Sequence, residues 1–365
     1  MKAQELIDIL ESWAPPAYQE SYDNVGVLWG DPAEELKGVL LTLDLTEEVL
    51  DEAVARDCNW IVAHHPILFK ALKRLSGGSY VERILLKALR KGIGVYALHT
   101  NLDNIREGVN QSLASLLELE QVCVLEPKVG LLSQLTFFCP KNDVKAVLRQ
   151  VHDAGAGRIG NYDFCSFQQE GRGYFRPGSE ADPRFGRRGE LTEVEEVRVE
   201  VLVPVHIQDH ILAVLKRVHP YEEVAYFSSP LYNAHQGVGM GQLGILASPL
   251  SVEDFLGLLK RVLSVSCLRY TGLGSDRMIS RVAICGGSGS SLLGVALRRG
   301  ADAYVTSDIK YHEFFDAEGK ILFCDIGHYE SESHVKSWIF EYLRDKLHKI
   351  ALHVSEVDTN PISYA

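Results

Sequence analysis

Apolar residues recur every three to four positions through residues 3–13, where Leu6, Ile7, Leu10 and Trp13 share one side. That spacing predicts an amphipathic helix. Val39–Leu43 reads as a buried strand, and Glu47–Arg56 as a helix with Thr46 at its N-cap. The pattern then alternates. Trp60–Ala63 is strand-like, Tyr80–Lys91 helical, Val95–Leu98 strand-like and Asn110–Leu119 helical. The style returns late in the chain. Helices are predicted at Ser251–Val262, from the Gly286–Ser291 loop to about Arg299, at Tyr311–Ala317 and from about Ser331 to Leu347. Strands are predicted at Val282–Cys285, Ala303–Thr306 and Ile321–Cys324. Such alternation indicates an α/β layered core.

The middle of the chain differs because it repeats itself. Ala146-Val147-Leu148-Arg149-Gln150-Val151-His152 recurs as Ala213-Val214-Leu215-Lys216-Arg217-Val218-His219. Each copy follows a β-rich run, Leu135–Cys139 or Val197–Val203. Each precedes a strand candidate, near Tyr162–Phe167 or Val224–Ser228. Two β-α-β halves predict a ferredoxin-like α+β module. The expected division is residues 1–125 and 241–365 as two parts of one α/β core, with 126–240 inserted between them.

Composition narrows the class. A chain of 365 residues exceeds one ordinary core, and 46% apolar with 24% charged residues is typical of a globular protein. No apolar run approaches the roughly 18–20 residues of a membrane span. The acidic residues in Met1–Asp8 do not suit a signal peptide, so the chain is expected to be cytoplasmic. A net charge of −12 argues against broad nucleic-acid binding, which depends on neutralising phosphates, but leaves room for a small metal-centred site. Seven cysteines without a Cys-x-x-Cys pair read as reduced, inert thiols.

Three predicted strands end in metal-binding residue types. These are His64-His65 after Trp60–Ala63, His99 with Asp103 after Val95–Leu98, and Asp325 to Glu332 after Ile321–Cys324. Sites in α/β sheets form at the carboxyl ends of strands. Adjacent His64 and His65 diverge, so two neighbouring metals suit them better than one. His328 and Glu332 are four apart, about one helical turn, and point the same way. With Asp103 this makes three imidazoles and two carboxylates. That is too many for one metal with an open position, and about right for two metals sharing a carboxylate and a water. Nitrogen and oxygen donors without thiolates suit zinc, iron or manganese, and do not choose among them.

Taken together, Ser21-Tyr22-Asp23-Asn24-Val25-Gly26, Ala63–Pro66, Leu98–Asp103, Thr306–His312 and Asp325–Glu332 make the chain resemble the Nif-three-like family of dinuclear-metal proteins. That family is commonly labelled GTP cyclohydrolase type 2 homologues. The resemblance implies a two-part α/β/α core in which His64, His65, Asp103, His328 and Glu332 hold two divalent cations. The middle segment is similar to PII and CutA-type trimeric domains. This rests on Gly155–Tyr162, Gly173–Pro177 and His219–Glu223. A toroidal homohexamer, trimerising through the insertion, is implied as well. One departure is Ser307, where the family usually has glycine.

Other residues keep two readings. His312 and Asp308 are candidates for proton transfer or for supporting the ligands, or they simply open a surface helix. His99 orients Asp103 or is a core-edge histidine. Asp23 and Asn24 line the cavity or make an Asx-turn. The Gly286–Ser291 loop binds an anion or is a tight connection. His219 and Pro220 read as a helix terminator. Two functions follow. One is a metal-dependent hydrolase of a nucleotide or other phosphorylated compound, GTP cyclohydrolase-like or a phosphoesterase. The other is a non-catalytic metal-binding regulator with an effector-sensing module.

Overall fold

The strand Trp60–Ala63 is buried on both faces, which explains its unbroken apolar sequence. In the computed structural model, which describes residues 1–274 and 276–364, it lies at the centre of a five-stranded sheet. The strand order is Gly26–Trp29, Gly94–Ala97, Trp60–Ala63, Gly38–Thr42, Ala351–Val354. The last four are parallel, and Gly26–Trp29 is antiparallel at one edge. Trp60 pairs with Gly94, whose missing Cβ would meet the indole at 2.6 Å. The Ala351–Val354 strand has no strong alternation and was not expected from the sequence.

A second sheet has six strands, in the order Arg269–Tyr270, Leu322–Asp325, Ala303–Ser307, Met278–Ser288, Gly239–Ser251, Glu120–Pro127. Its inner strands Met278–Ser288, Ala303–Ser307 and Leu322–Asp325 are parallel. Their carboxyl ends therefore open on one edge, as do those of Gly38–Thr42, Trp60–Ala63 and Gly94–Ala97 in the first sheet. Helices cover the sheets with conventional caps: Thr46 accepts from the Val49 amide and Ser251 from the Asp254 amide. Two boundaries differ from expectation. Tyr311–Ala317 is a 3₁₀ helix. The long helix expected from Ser331 is two, His328–Glu332 and Val335–Arg344, broken at Ser333-His334.

Contacts divide the chain into two compact units, residues 1–126 with 238–365, and residues 127–237. The second unit is an antiparallel sheet in the order Phe167–Phe175, Thr192–Pro204, Leu132–Pro140, Tyr226–Leu231. Its helices Val144–Asp153 and Gln208–Val218 contain the repeat. This is the ferredoxin-like order, with each β-α-β half contributing one central and one edge strand. Repeat positions Val147, Leu148, Val151, Val214 and Leu215 are buried in its core. The histidines closing each copy are structural. His152 Nδ1 lies 3.1 Å from the Ala156 carbonyl, and His219 Nε2 lies 2.9 Å from the Phe138 carbonyl. The strand expected at Tyr162–Phe167 begins only at Phe167.

Candidate metal centre

The parallel strands bring their chemistry together where they end. His64 and His65 follow Trp60–Ala63, His99 follows Gly94–Ala97, and Asp103 closes the short helix Thr100–Asp103. From the second sheet, Leu322–Asp325 leads to His328 and Glu332, one turn apart on the helix His328–Glu332. Glu332 Oε2 lies 3.0 Å from His65 Nε2, 3.1 Å from His328 Nε2 and 3.9 Å from His64 Nε2. His64 Nε2 is 3.6 Å from Asp103 Oδ1. Three sets of donor atoms result: His64, Asp103, Glu332 and His65, His328, Glu332, which share Glu332, and His64, His65, His99.

Every histidine here is held from behind through Nδ1. His64 Nδ1 lies 2.7 Å from the Leu98 carbonyl, and His65 Nδ1 2.8 Å from Asp44 Oδ1. His99 Nδ1 is 2.8 Å from Asp23 Oδ1, and His328 Nδ1 is 2.7 Å from Asp308 Oδ2. Those acceptors fix the tautomer and aim Nε2 at the centre, as supporting groups do around metal-bound imidazoles. Asp308 thus has a place, behind His328. It adopts a positive φ of 57° to reach it. His312 does not. It is exposed, packs against Tyr311 and Phe315, and does not line the cavity. His99 turns to Asp23, not to Asp103.

Electrostatics show what the cluster lacks. His64 Nε2 and Asp103 Oδ1 are buried without a hydrogen-bond partner. Burial pushes the His64 pKa down to about 3. Burial, and then the charge of Glu332, raise the Asp103 carboxyl. Burial alone would lower His65 too, but its hydrogen bonds to Asp44 and Glu332 carry it up to about 10. His328 goes up to about 9 for the same reason, through Glu332 and Asp308. Burial opposes the charge on Glu332, yet hydrogen bonds from His328 and His65 hold its carboxyl well below the usual range. His65 and His328 face each other with Nε2 atoms 3.3 Å apart. Both cannot hold a proton there without repulsion, and a cation that takes both lone pairs removes the conflict. The orphaned atoms and the donor chemistry therefore fit divalent metal.

Gly287 makes the approach feasible. Its φ is +61°, and a Cβ there would meet Glu332 Oε1 at 2.3 Å. The surrounding loop is a scaffold rather than an anion cradle. The Gly286 amide donates to Asn110 Oδ1, Gly287 to Ser331 Oγ and Gly289 to Thr306 Oγ1. Ser307 donates through Oγ to the Gly287 carbonyl at 2.6 Å, so the departure at this position braces the same loop.

A family model described as Duf34/NIF3 (NGG1p interacting factor 3) matches residues 1–361. The chain belongs to the Duf34/NIF3 family. A Bacillus subtilis relative named GTP cyclohydrolase 1 type 2 homolog is 37% identical, covering 100% of this chain and 99% of its own. The crystal structure of a Bacillus cereus protein related to NIF3 superposes with TM-score 0.87 at 34% identity, covering 100% of this chain and 99% of that one. A Staphylococcus aureus structure gives TM-score 0.79 at 30% identity, with coverage of 100% and 99%.

Five supporting residues escaped the sequence reading. Asp44 stands just past Gly38–Thr42, a strand end like the others, and that was the available signal. Thr359 donates to Asp44 Oδ2 at 2.8 Å. Asn360, Pro361 and Ile362 form one wall of the cavity beside the cluster. The segment 355–364 has no regular secondary structure, so periodicity offered no cue. Among the described residues, no helix is long and apolar enough to cross a membrane.

Proposed function

We propose that this protein binds two divalent cations and is a metal-dependent hydrolase of a nucleotide or other phosphorylated compound. The supporting observation is the shared carboxylate: Glu332 Oε2 lies within 3.9 Å of three imidazole nitrogens that belong to two donor sets. His64, Asp103 and Glu332 would hold one ion, and His65, His328 and Glu332 the other. Bound ions would supply Lewis acidity and a lowered water pKa. The chain's own residues do the rest. Leu98, Asp44 and Asp308 keep each Nε2 turned inward. Asp103 and Glu332 bring carboxylate oxygens to the edge of the cavity. A cavity of about 470 Å³ opens beside them, large enough for a small substrate. The name borne by the Bacillus subtilis relative, GTP cyclohydrolase 1 type 2 homolog, suggests GTP as the first compound to test.

A second reading, a regulatory scaffold, draws on a separate cavity of about 490 Å³ inside unit 127–237, lined by Phe138, Arg172, Glu196, Arg198 and Tyr221 among others. An effector there would make metal binding a signal rather than a step in catalysis. The family resemblance also supports a toroidal hexamer with the inserted unit as its trimer contact. Light scattering after size exclusion checks the assembly. Metal-reconstituted protein screened against GTP, other nucleotides and phosphoesters, beside Asp103→Ala, decides between the functions. Metal-dependent turnover that Asp103→Ala abolishes supports the hydrolase. No turnover across the screen overturns it in favour of the regulator.

A further inference from the structure

The cavity beside the cluster is acidic and apolar, and its asparagines and the glycine-loop amides at 286, 287 and 289 are already committed. Among the described residues, no lysine or arginine lines it. Asn104 donates to the Tyr18 carbonyl and Glu20, and Asn110 bridges the Asp103 carbonyl and the Gly286 amide. Asn360 joins Glu330 to the Ile362 amide. The glycine loop's amides at 286, 287 and 289 are spent on side chains. Phosphate is ordinarily gripped by arginine forks, lysines or free backbone amides.

What the cavity does offer is ring-shaped contact. Tyr22 and Phe69 are largely exposed, and both line it. Phe69 meets the His99 ring edge-on, with centroids 5.8 Å apart. Met240, Tyr329, Pro361 and Ile362 complete an apolar surround. His99 lines it too. Asp23 holds its Nδ1 at 2.8 Å, which leaves Nε2 as the ring nitrogen free to meet a ligand.

We propose that the cavity recognises an uncharged heteroaromatic ring, held by Tyr22, Phe69 and His99, and that phosphate groups contribute nothing to its recognition. This rests on the metal-centre reading for the ligand's orientation, but the ring contacts stand apart from it. It also sharpens the hydrolase reading: the ring end of a nucleotide enters, and the phosphates stay outside.

The experiment is calorimetric titration of the full-length, metal-loaded protein with guanosine, adenosine, cytidine, GTP and inorganic triphosphate. At least one nucleoside should bind. GTP should match guanosine within about threefold, and triphosphate should be weaker than the best nucleoside by about tenfold or more. Tyr22→Ala and Phe69→Ala should each weaken nucleoside binding about fivefold, with metal content unchanged. His99→Gln should retain more binding than His99→Ala, as a polar contact at this position requires. The proposal is overturned if GTP or triphosphate binds more than about tenfold tighter than every nucleoside, if no nucleoside binds, or if the aromatic variants bind as the parent does. Elemental analysis before titration, and a parallel titration of metal-free protein, separate the two readings. Ring binding that depends on Tyr22 and Phe69 in a protein that loads no metal would sink the metal centre and keep this inference.

Discussion

Replacing Gly287 by alanine tests the geometry of the centre with a single methyl group. Two costs are readable from the structure. The backbone at φ +61° charges a non-glycine residue about 1–2 kcal/mol. The new Cβ would stand 2.3 Å from Glu332 Oε1, so the carboxylate must retreat by about 1 Å to reach ordinary contact. Glu332 cannot retreat freely, because the same group is hydrogen-bonded at 3.0 Å to His65 and at 3.1 Å to His328. Losing one such charge-assisted bond costs about 1.5–3 kcal/mol. The sum is roughly 2.5–5 kcal/mol of destabilisation in metal-free protein. Metal affinity should fall by about 100-fold or more, beyond the 10–100-fold typical of losing a supporting partner. Urea denaturation of chelated protein gives the first quantity, and elemental analysis after dialysis gives the second. Gly286→Ala is the control, because its φ lies outside the left-handed region and its Cβ would come no closer than 3.1 Å to Val109 and 3.5 Å to Glu332 Cγ, an ordinary contact. If Gly287→Ala unfolds at the parent's midpoint and retains two ions, the placement of Glu332 is wrong.

Other expectations follow from the same contacts. His65→Ala and Glu332→Ala should each lower the metal content below two ions per chain, measured by elemental analysis, and Glu332→Ala should lower it further because both donor sets use that residue. Thr359→Val should leave the fold intact by circular dichroism while weakening metal binding about tenfold, since Asp44 loses the partner that steadies it behind His65. Protons on His65 and His328, with pKa values near about 10 and about 9, must leave before metal enters. Apparent affinity should therefore rise from pH 6 to pH 9, with net proton release at pH 7 measured by calorimetry in buffers of different ionisation enthalpy. No release would contradict the raised values. Residues 127–237 expressed alone should fold cooperatively, because they carry their own buried core.

The α/β character of the core was readable because the parallel strands leave unambiguous marks. Trp60–Ala63 and Gly94–Ala97 are buried on both faces, and burial on both faces writes an apolar run. Histidines and carboxylates just past such runs are conspicuous, and the structure gathers His64, His65, Asp103, His328 and Glu332 around one recess. What stayed hidden depends on distance in sequence. Nothing local tells Asp44 that His65 will lean on it, or His99 that Asp23 lies behind it. His312 looked chemical beside Asp308, yet it stands exposed on the 3₁₀ helix Tyr311–Ala317 and does not line the recess. The repeat in the middle was legible because the same helix face is buried twice.

The segment that supplies Thr359, Pro361 and Ile362 also decides when the centre can mature. The strand Ala351–Val354 pairs with Gly38–Thr42 across some three hundred residues of chain. Thr359 then reaches Asp44, made equally early in synthesis. A nascent chain that has exposed His64, His65 and Asp103 still lacks His328, Glu332 and this wall. Its histidines would offer only part of either proposed donor set. On the two-ion reading, a complete donor set accordingly exists only once residues 328–362 have been translated.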